Sequence, residues 1–443
     1  MQGYFSKQMI FLVCTMGFFT VRSFVDPFWG VLMYYGLAVL RPQAIWDWAL
    51  PEFRWSLLAA LVAIVTTILN ASSVKKVNQF RFLTLTILFG GCLFLSYCLA
   101  NDQVIAGRYG WEYAKILLMV IVASYVVREK WHIRYLGWMI FLCLTYLVYE
   151  VNLQYLIDRR LDIYNRGYGG LDNNGAALML AMVAPFCYYY FFAGRRWWRW
   201  GFLFCLISTF HAVMLTQSRG AMLSTLVVML GILVTTARKK FLKTMVIGVV
   251  LGFAVLYLAG PDIRMRFLSI TGPERDASSQ SRLDSWKAGW RIAWDYPWFG
   301  AGIRNANLLA QQYGADMKGR TIHNVYIQIA ADVGFPAAVI YVSLLGFAFW
   351  RLGKAIRMTR GSLEDMEDRW FHYTCRASIW SLGIFSIGAL FLSLETFELC
   401  YLIILIGAVA PSLASQGNEE RQELDVEAAE RKRVKISTEG LST

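Results

Sequence analysis

Apolar segments of membrane-spanning length alternate with short polar connectors along most of the chain. Such segments cover residues 55–70, 82–100, 111–127, 135–151, 175–193, 199–215, 220–236, 241–259, 325–350, 376–394 and 397–414. A helix needs about 20 predominantly apolar residues to cross the hydrocarbon. Only a structure that satisfies its own backbone hydrogen bonds is stable there, so each segment predicts a helix. The stretch 8–40 is apolar too, but Arg22 and Asp26-Pro27 interrupt it. Proline removes a helical donor and clashes with the preceding turn, so this stretch predicts either one bent span or two short ones.

Charge orients these helices. Connectors at Lys75-Lys76, Arg128–Arg134, Arg195–Arg199, Arg238–Lys243 and Arg351–Arg376 are basic. They alternate with connectors at 41–54, 101–110, 152–174, 216–219 and 260–322. Basic loops stay on the cytoplasmic side, which puts the second set outside and both termini inside. The expectation is an all-α polytopic membrane protein with about 12 transmembrane helices, or thirteen if residues 8–40 cross twice. It divides into N-terminal transmembrane helices (1–259), one large external loop with amphipathic helices (260–323), C-terminal transmembrane helices (324–414) and a charged cytoplasmic tail (415–443). No internal repeat suggests the paired halves of a secondary transporter.

Composition agrees: of 443 residues, 57% are hydrophobic and 16% charged, and the mean hydropathy is +0.44. The net charge of +13 sits mostly in the connectors, so it reads as orientation and no nucleic-acid partner is expected. The first apolar stretch has no small-residue cleavage site, so no cleavable signal peptide is expected. The eight cysteines show no metal-type spacing, and the external loop has none, so neither disulfides nor a metal site is expected.

The external loop departs from the charge rule. Between Gly260 and His323 it holds Arg264, Arg266, Arg275, Arg282, Arg291, Arg304 and Arg320. Arginines on the outer side point to an anion, with phosphate the first candidate. Three features converge there. Thr216-Gln217-Ser218-Arg219-Gly220-Ala221 places a single charge between two apolar helices, read as an anion clamp or as a snorkelling arginine. Over 281–297, Trp286, Trp290 and Trp294 fall four apart on one helical stripe, with Asp284, Lys287, Arg291 and Asp295 on another. That pattern suits a helix at the lipid–water interface holding Arg291 at headgroup depth; a plain amphipathic surface helix fits it as well. Thr321-Ile-His323-Asn324-Val-Tyr326 re-enters the membrane with a histidine that could act as general base, cap the helix or simply pack. Helices starting near Gly220 and Asn324 would turn their N-terminal dipole ends outward, favouring an anion. The outer connector 152–174 adds Arg166 and the turn Asp172-Asn173-Asn174-Gly175, suited to sugar hydroxyls or to helix capping.

Together these residues resemble the O-antigen ligase and polymerase superfamily. The similarity rests on Gln217-Ser218-Arg219-Gly220, on Arg282…Trp286-Lys287…Trp290-Arg291…Pro297-Trp298-Phe299-Gly300-Ala301-Gly302, and on His323-Asn324-Val-Tyr…Asp332-Val-Gly334. Asp172-Asn173-Asn174-Gly175 resembles an outer turn of ligase-like members. The resemblance implies a GT-C-like, metal-independent, inverting glycosyltransferase without cofactor in a bacterial inner membrane, its active site facing the periplasm. Its partners would be an undecaprenyl pyrophosphate-linked glycan as donor, a sugar of lipid A–core as acceptor, and membrane lipids. On this match Arg219 and Arg291 fall at diphosphate-binding positions and His323 at the catalytic histidine. Gln217, Ser218, Arg282, Lys287, Asn324, Asn173, Asn174, Arg166 and Arg304 are further substrate-binding candidates. A polymerase or a protein O-glycosylating ligase would use the same donor. A lipid or polysaccharide flippase is the different-class reading, but it would require coupling groups deep in the spans. The ionisable candidates there are few: Glu112, Lys115, Glu150, Glu395 and Glu398.

Overall fold

Pro27 divides the first apolar stretch into two separate helices, α1 (Lys7–Val25) and α2 (Phe28–Leu40), in a computed structural model that describes residues 6–71, 79–236 and 277–415. Asp26 holds the break, its carboxylate accepting from the Phe28 N–H at 3.0 Å. A single bent span is therefore not what forms. The expected span 241–259, the Lys75-Lys76 connector, Arg264, Arg266, Arg275 and the tail from Gln416 lie outside the described residues.

The chain continues through α3 (Pro42–Ile45), α4 (Trp55–Leu69), α5 (Phe80–Cys98), α6 (Gln103–Val126), α7 (Lys130–Asp158) and α8 (Asp162–Arg166). Next come α9 (Asn173–Ala181), α10 (Ala184–Ala193), α11 (Arg199–Leu215) and α12 (Arg219–Thr236). After the undescribed segment follow α13 (Ala277–Asp295), α14 (Ala306–Leu309), α15 (Val325–Val333), α16 (Phe335–Met358), α17 (Met366–Gly388) and α18 (Glu398–Ser415). No strand forms among the described residues; Tyr168 and Leu171 make an isolated bridge.

Seven described segments are long and apolar enough to cross a membrane: α1, α5, α7, the α9–α10 pair, α12, α16 and α18. Two shorter apolar helices, α4 and α11, accompany them. The protein is an all-helical polytopic membrane protein. The α9–α10 segment and α18 are 83% buried and α1 only 17%, so the bundle has a protein-enclosed centre and a lipid-facing periphery.

Two expected spans are broken, and in both a proline takes part. Pro185 lies at the start of α10 and ends the regular run of α9 at Ala181. Residues 325–350 divide at Gly334, where φ is +98° and a Cβ would stand 2.4 Å from the Trp298 carbonyl oxygen; Pro336 follows two residues on, in the first turn of α16. The Trp298–Gly302 loop packs against this break. Ala301 and Gly302 donate to the Ala331 and Asp332 carbonyls at 2.9 and 3.0 Å, and Phe335 donates to Pro297 at 2.8 Å. The glycines of this motif therefore serve close backbone approach.

Candidate active site

Two polar turns meet at one end of the bundle. Asp172 caps α9, its Oδ1 accepting from the Gly175 N–H at 2.7 Å. Asn174 then accepts from Ser218 Oγ at 2.8 Å, and Asn173 Nδ2 donates to the Thr216 carbonyl at 3.3 Å. Gln217 adopts φ +55°, closing the α11–α12 turn so that half-buried Arg219 becomes the first residue of α12. The capping reading of Asp172 is realised, while the two asparagines lock the turn that presents Arg219. Gly220 packs under Phe391, whose Cβ would lie 3.2 Å from an added methyl.

Phe391 is also the link to α13. Its ring lies 6.1 Å from that of Trp286, and Trp286 Nε1 donates to the His323 carbonyl at 3.2 Å. Helix α13 comes this close because of Gly289: a Cβ there would stand 2.8 Å from Ile322 and 2.9 Å from Ile327 side-chain atoms. Its buried side carries Ser281, Ser285, Ala288 and Ile292. Arg282 falls one turn before Trp286 on the same stripe as Trp290 and Trp294. Those two tryptophans are 48% and 62% exposed and pack edge-on against Phe335 at 5.8 and 5.1 Å.

Arg291 lies on another face. Exposed, it donates Nη1 to the Tyr313 carbonyl at 3.0 Å, while the Tyr313 hydroxyl donates to Asp295 at 2.6 Å. Lys287 is also exposed and approaches Asp284 at 3.8 Å. The electrostatic partners of the His323 ring are instead Arg282, Asp172, Arg320 and Arg304.

His323 itself sits in a constrained position. Its φ is +55°, an uncommon conformation for a residue with a side chain. Its N–H donates to Ser393 Oγ at 2.9 Å, and its carbonyl is held by Trp286. Asn324 caps α15, accepting from the Tyr326 and Ile327 N–H groups at 3.0 and 3.1 Å. The half-buried imidazole makes no hydrogen bond among the described residues. Burial, then Arg282, depress its pKa to about 4, with Arg320 and Arg304 acting the same way against Asp172. It is therefore neutral at pH 7, with a nitrogen lone pair free to accept a proton.

Behind the histidine lies a buried charge network. Arg304 sits at φ +62° with its Nε 2.9 Å from Glu395 Oε1 and its guanidinium 5.0 Å from the Tyr109 ring centroid. Burial alone would lower its pKa; Glu395 and Asp332 outweigh that and raise it. Asp332 accepts from the Ala306 N–H and from Gln328 Nε2 at 3.0 and 2.7 Å. Glu395 stands close to Arg304 without a well-aligned hydrogen bond to either of its oxygens, so the pairing is electrostatic. Arg320 closes the loop by pairing with Asp316 at 3.1 Å and by donating to Ser281 Oγ, itself bonded to Asp316.

The structure thus joins at Phe391 the turn of Asn173, Asn174 and Ser218 that presents Arg219 and the Trp286 side of α13 that holds His323, with Arg282 near enough to act on the imidazole. Asn324 is occupied with capping, Arg304 with its ion pair and Arg291 with Tyr313; Arg166 is exposed at the end of α8. Sequence reasoning did not foresee Phe391, Ser393 or the Glu395 pairing with Arg304. Only Glu395 left a signal, as a charge at the edge of an apolar stretch where solvation is expensive. No group of three histidine, cysteine or acidic side chains suited to a metal ion forms among the described residues.

Residues 204–342 match the family model described as O-antigen ligase. Residues 8–158 match a second model, described as a family of unknown function. No curated protein matches the chain.

Proposed function

We propose, from the match of residues 204–342 to the O-antigen ligase family model, that the chain transfers a glycan from undecaprenyl pyrophosphate to a sugar hydroxyl of lipid A–core at the periplasmic face of a bacterial inner membrane. The observation that carries this reading is a half-buried histidine in the positive field of Arg282 on α13 and of Arg320 and Arg304 in the loops that follow. His323 takes the proton from the attacking hydroxyl. Arg219 and Arg282 stabilise the negative charge that develops on the departing diphosphate, a role that charged donors can fill without a metal ion. The resemblance put Arg291 at the second diphosphate position; the stripe that Arg282 shares with Trp286 favours Arg282 for it, and Arg291 for contact with headgroups at the rim. One in-line displacement inverts the anomeric centre.

The site also explains how a histidine of such low basicity becomes a base. Arg282, Arg320 and Arg304 depress it in the free protein. A bound diphosphate neutralises part of that positive field, so donor binding raises the proton affinity of His323 when the base is needed.

The test is transfer of a lipid-linked glycan in reconstituted vesicles, with and without a lipid A–core acceptor. Acceptor-dependent transfer supports the ligase; chain growth without that acceptor would favour a polymerase, and transfer to a polypeptide hydroxyl a protein-glycosylating ligase. EDTA is expected to leave the rate unchanged, and a loss restored by Mg²⁺ or Mn²⁺ would refute the metal-independent scheme.

A further inference from the structure

At the opposite end of the bundle from His323 lies a surface that glycan transfer does not use. Helix α11 runs from the Arg219 turn back to Arg199, about 25 Å for its 17 residues. The α9–α10 segment ends beside it, at Ala193. The connector between them reads Arg195-Arg196-Trp197-Trp198-Arg199-Trp200, and all six residues are exposed. Its shape is built. Arg196 takes φ +61°, and Trp200 and Gly201 donate to the Trp197 and Trp198 carbonyls at 3.0 Å each. Trp198 folds inward, stacking on Trp370 at 6.1 Å. Trp197 and Trp200 point outward, 81% and 54% exposed. Arg199 lies over the Phe191 and Trp200 rings at 5.2 and 5.4 Å, so its guanidinium is steered by aromatic faces.

None of the three arginines forms an ion pair among the described residues. The chain offers little to pair with: from Asn173 to Pro261 it contains no aspartate or glutamate. On the neighbouring helix α17, Asp368 is bound by Lys130 at 2.6 Å. Exposed indoles settle at the lipid–water boundary, and arginine forks match phosphate oxygens.

We propose that the Arg195–Trp200 connector binds the head groups of anionic phospholipids, fixing the depth of α10 and α11 at the membrane face opposite the candidate active site. The indoles seat among the acyl chains, and Arg195, Arg196 and Arg199 engage the phosphates. Each arginine near an anionic surface adds about fivefold to binding.

The test uses the full-length protein purified with a mixture of phosphatidylglycerol and phosphatidylcholine, with retained lipid read by native mass spectrometry. The wild type is expected to favour phosphatidylglycerol by at least about tenfold. R195Q/R196Q/R199Q is expected to lose that preference while keeping its helical circular dichroism. A wild type without preference, or a variant that keeps it, overturns the proposal. Should the variant fail to insert, a photoactivatable phosphatidylglycerol on the wild type decides: label in 190–203 supports the site, and label confined to other basic connectors overturns it. Retention abolished equally by inorganic phosphate would also overturn it, since a free anion would then suffice.

Discussion

Helix α13 carries arginines on two of its faces, and the two meet different surroundings. Arg282 shares a stripe with Trp286, which binds the His323 carbonyl, and its charge is felt by the imidazole. Arg291, nine residues on, is exposed and turned to the Tyr313 carbonyl. Residue type and helix are the same; register decides which charge reaches the site. The difference teaches that an arginine count locates an anion-handling region, while only packing selects the arginine that acts.

The largest effect expected is at the group both faces are compared against. His323→Ala should lower glycan transfer by about 10²–10⁴-fold, the range for loss of a general base, with insertion and expression unchanged. Undiminished transfer would remove the base from the scheme and the reference point from the comparison. Next, Arg282→Ala should cost about 10²–10³ in kcat, as expected for a donor aimed at developing charge. Arg291→Ala should cost less than about tenfold, chiefly in KM for the lipid-linked donor. If the two variants exchange these behaviours, the position suggested by resemblance is right and the register argument fails.

A third arginine extends the contrast inward. Arg304, its side chain only 17% exposed, pairs with buried Glu395, so Glu395→Gln leaves a largely enclosed charge with a weakened partner. Removing one member of a buried pair costs about 3–5 kcal/mol, which thermal unfolding in detergent would register. Transfer per folded molecule should change far less than in Arg282→Ala. A variant of normal stability with lost transfer would move Glu395 from support into the reacting site.

Much of this arrangement was legible in the sequence, for reasons that differ by level. Apolar length alone marked the seven described segments able to cross a membrane, because the bilayer imposes a length that composition must satisfy; the expected count of about 12 is not reached among the described residues. The break at Pro27 was visible, since proline acts locally; the one at Gly334 was not, and 325–350 read as a single span. Residues Asn174 and Ser218 sit at the mouths of helices in the sequence, but their 2.8 Å hydrogen bond joins positions 44 apart. Phe391 and Ser393 carried no sequence signal, being an ordinary ring and hydroxyl whose role comes from the neighbours that α13 and α15 bring to them. The tryptophan stripe was readable as periodicity; its direction was not, because Gly289 sets the close approach that turns Trp286 toward His323.

The smallest expected effect is the most discriminating between the two faces. The proposed scheme requires neutral His323, and its ordinary pKa of 6.5 is lowered to about 4. Transfer through the free enzyme, read as kcat/KM, should therefore stay level from pH 8 to about 5 and fall as pH approaches 4. The same shift sets the sign for stability: protonation favours the unfolded chain, so the contribution is intact above 6.5 and is lost as pH falls toward 4. Burial holds the histidine down first and Arg282 second. Arg282→Gln removes one of these causes and should move the acid limb of kcat/KM upward, toward 6.5, in whatever activity remains. Arg291→Gln should leave the limb where it is. A limb that moves with Arg291 instead would mean that the exposed face swings onto His323 when donor binds, and the division between the two faces would hold only for the empty site.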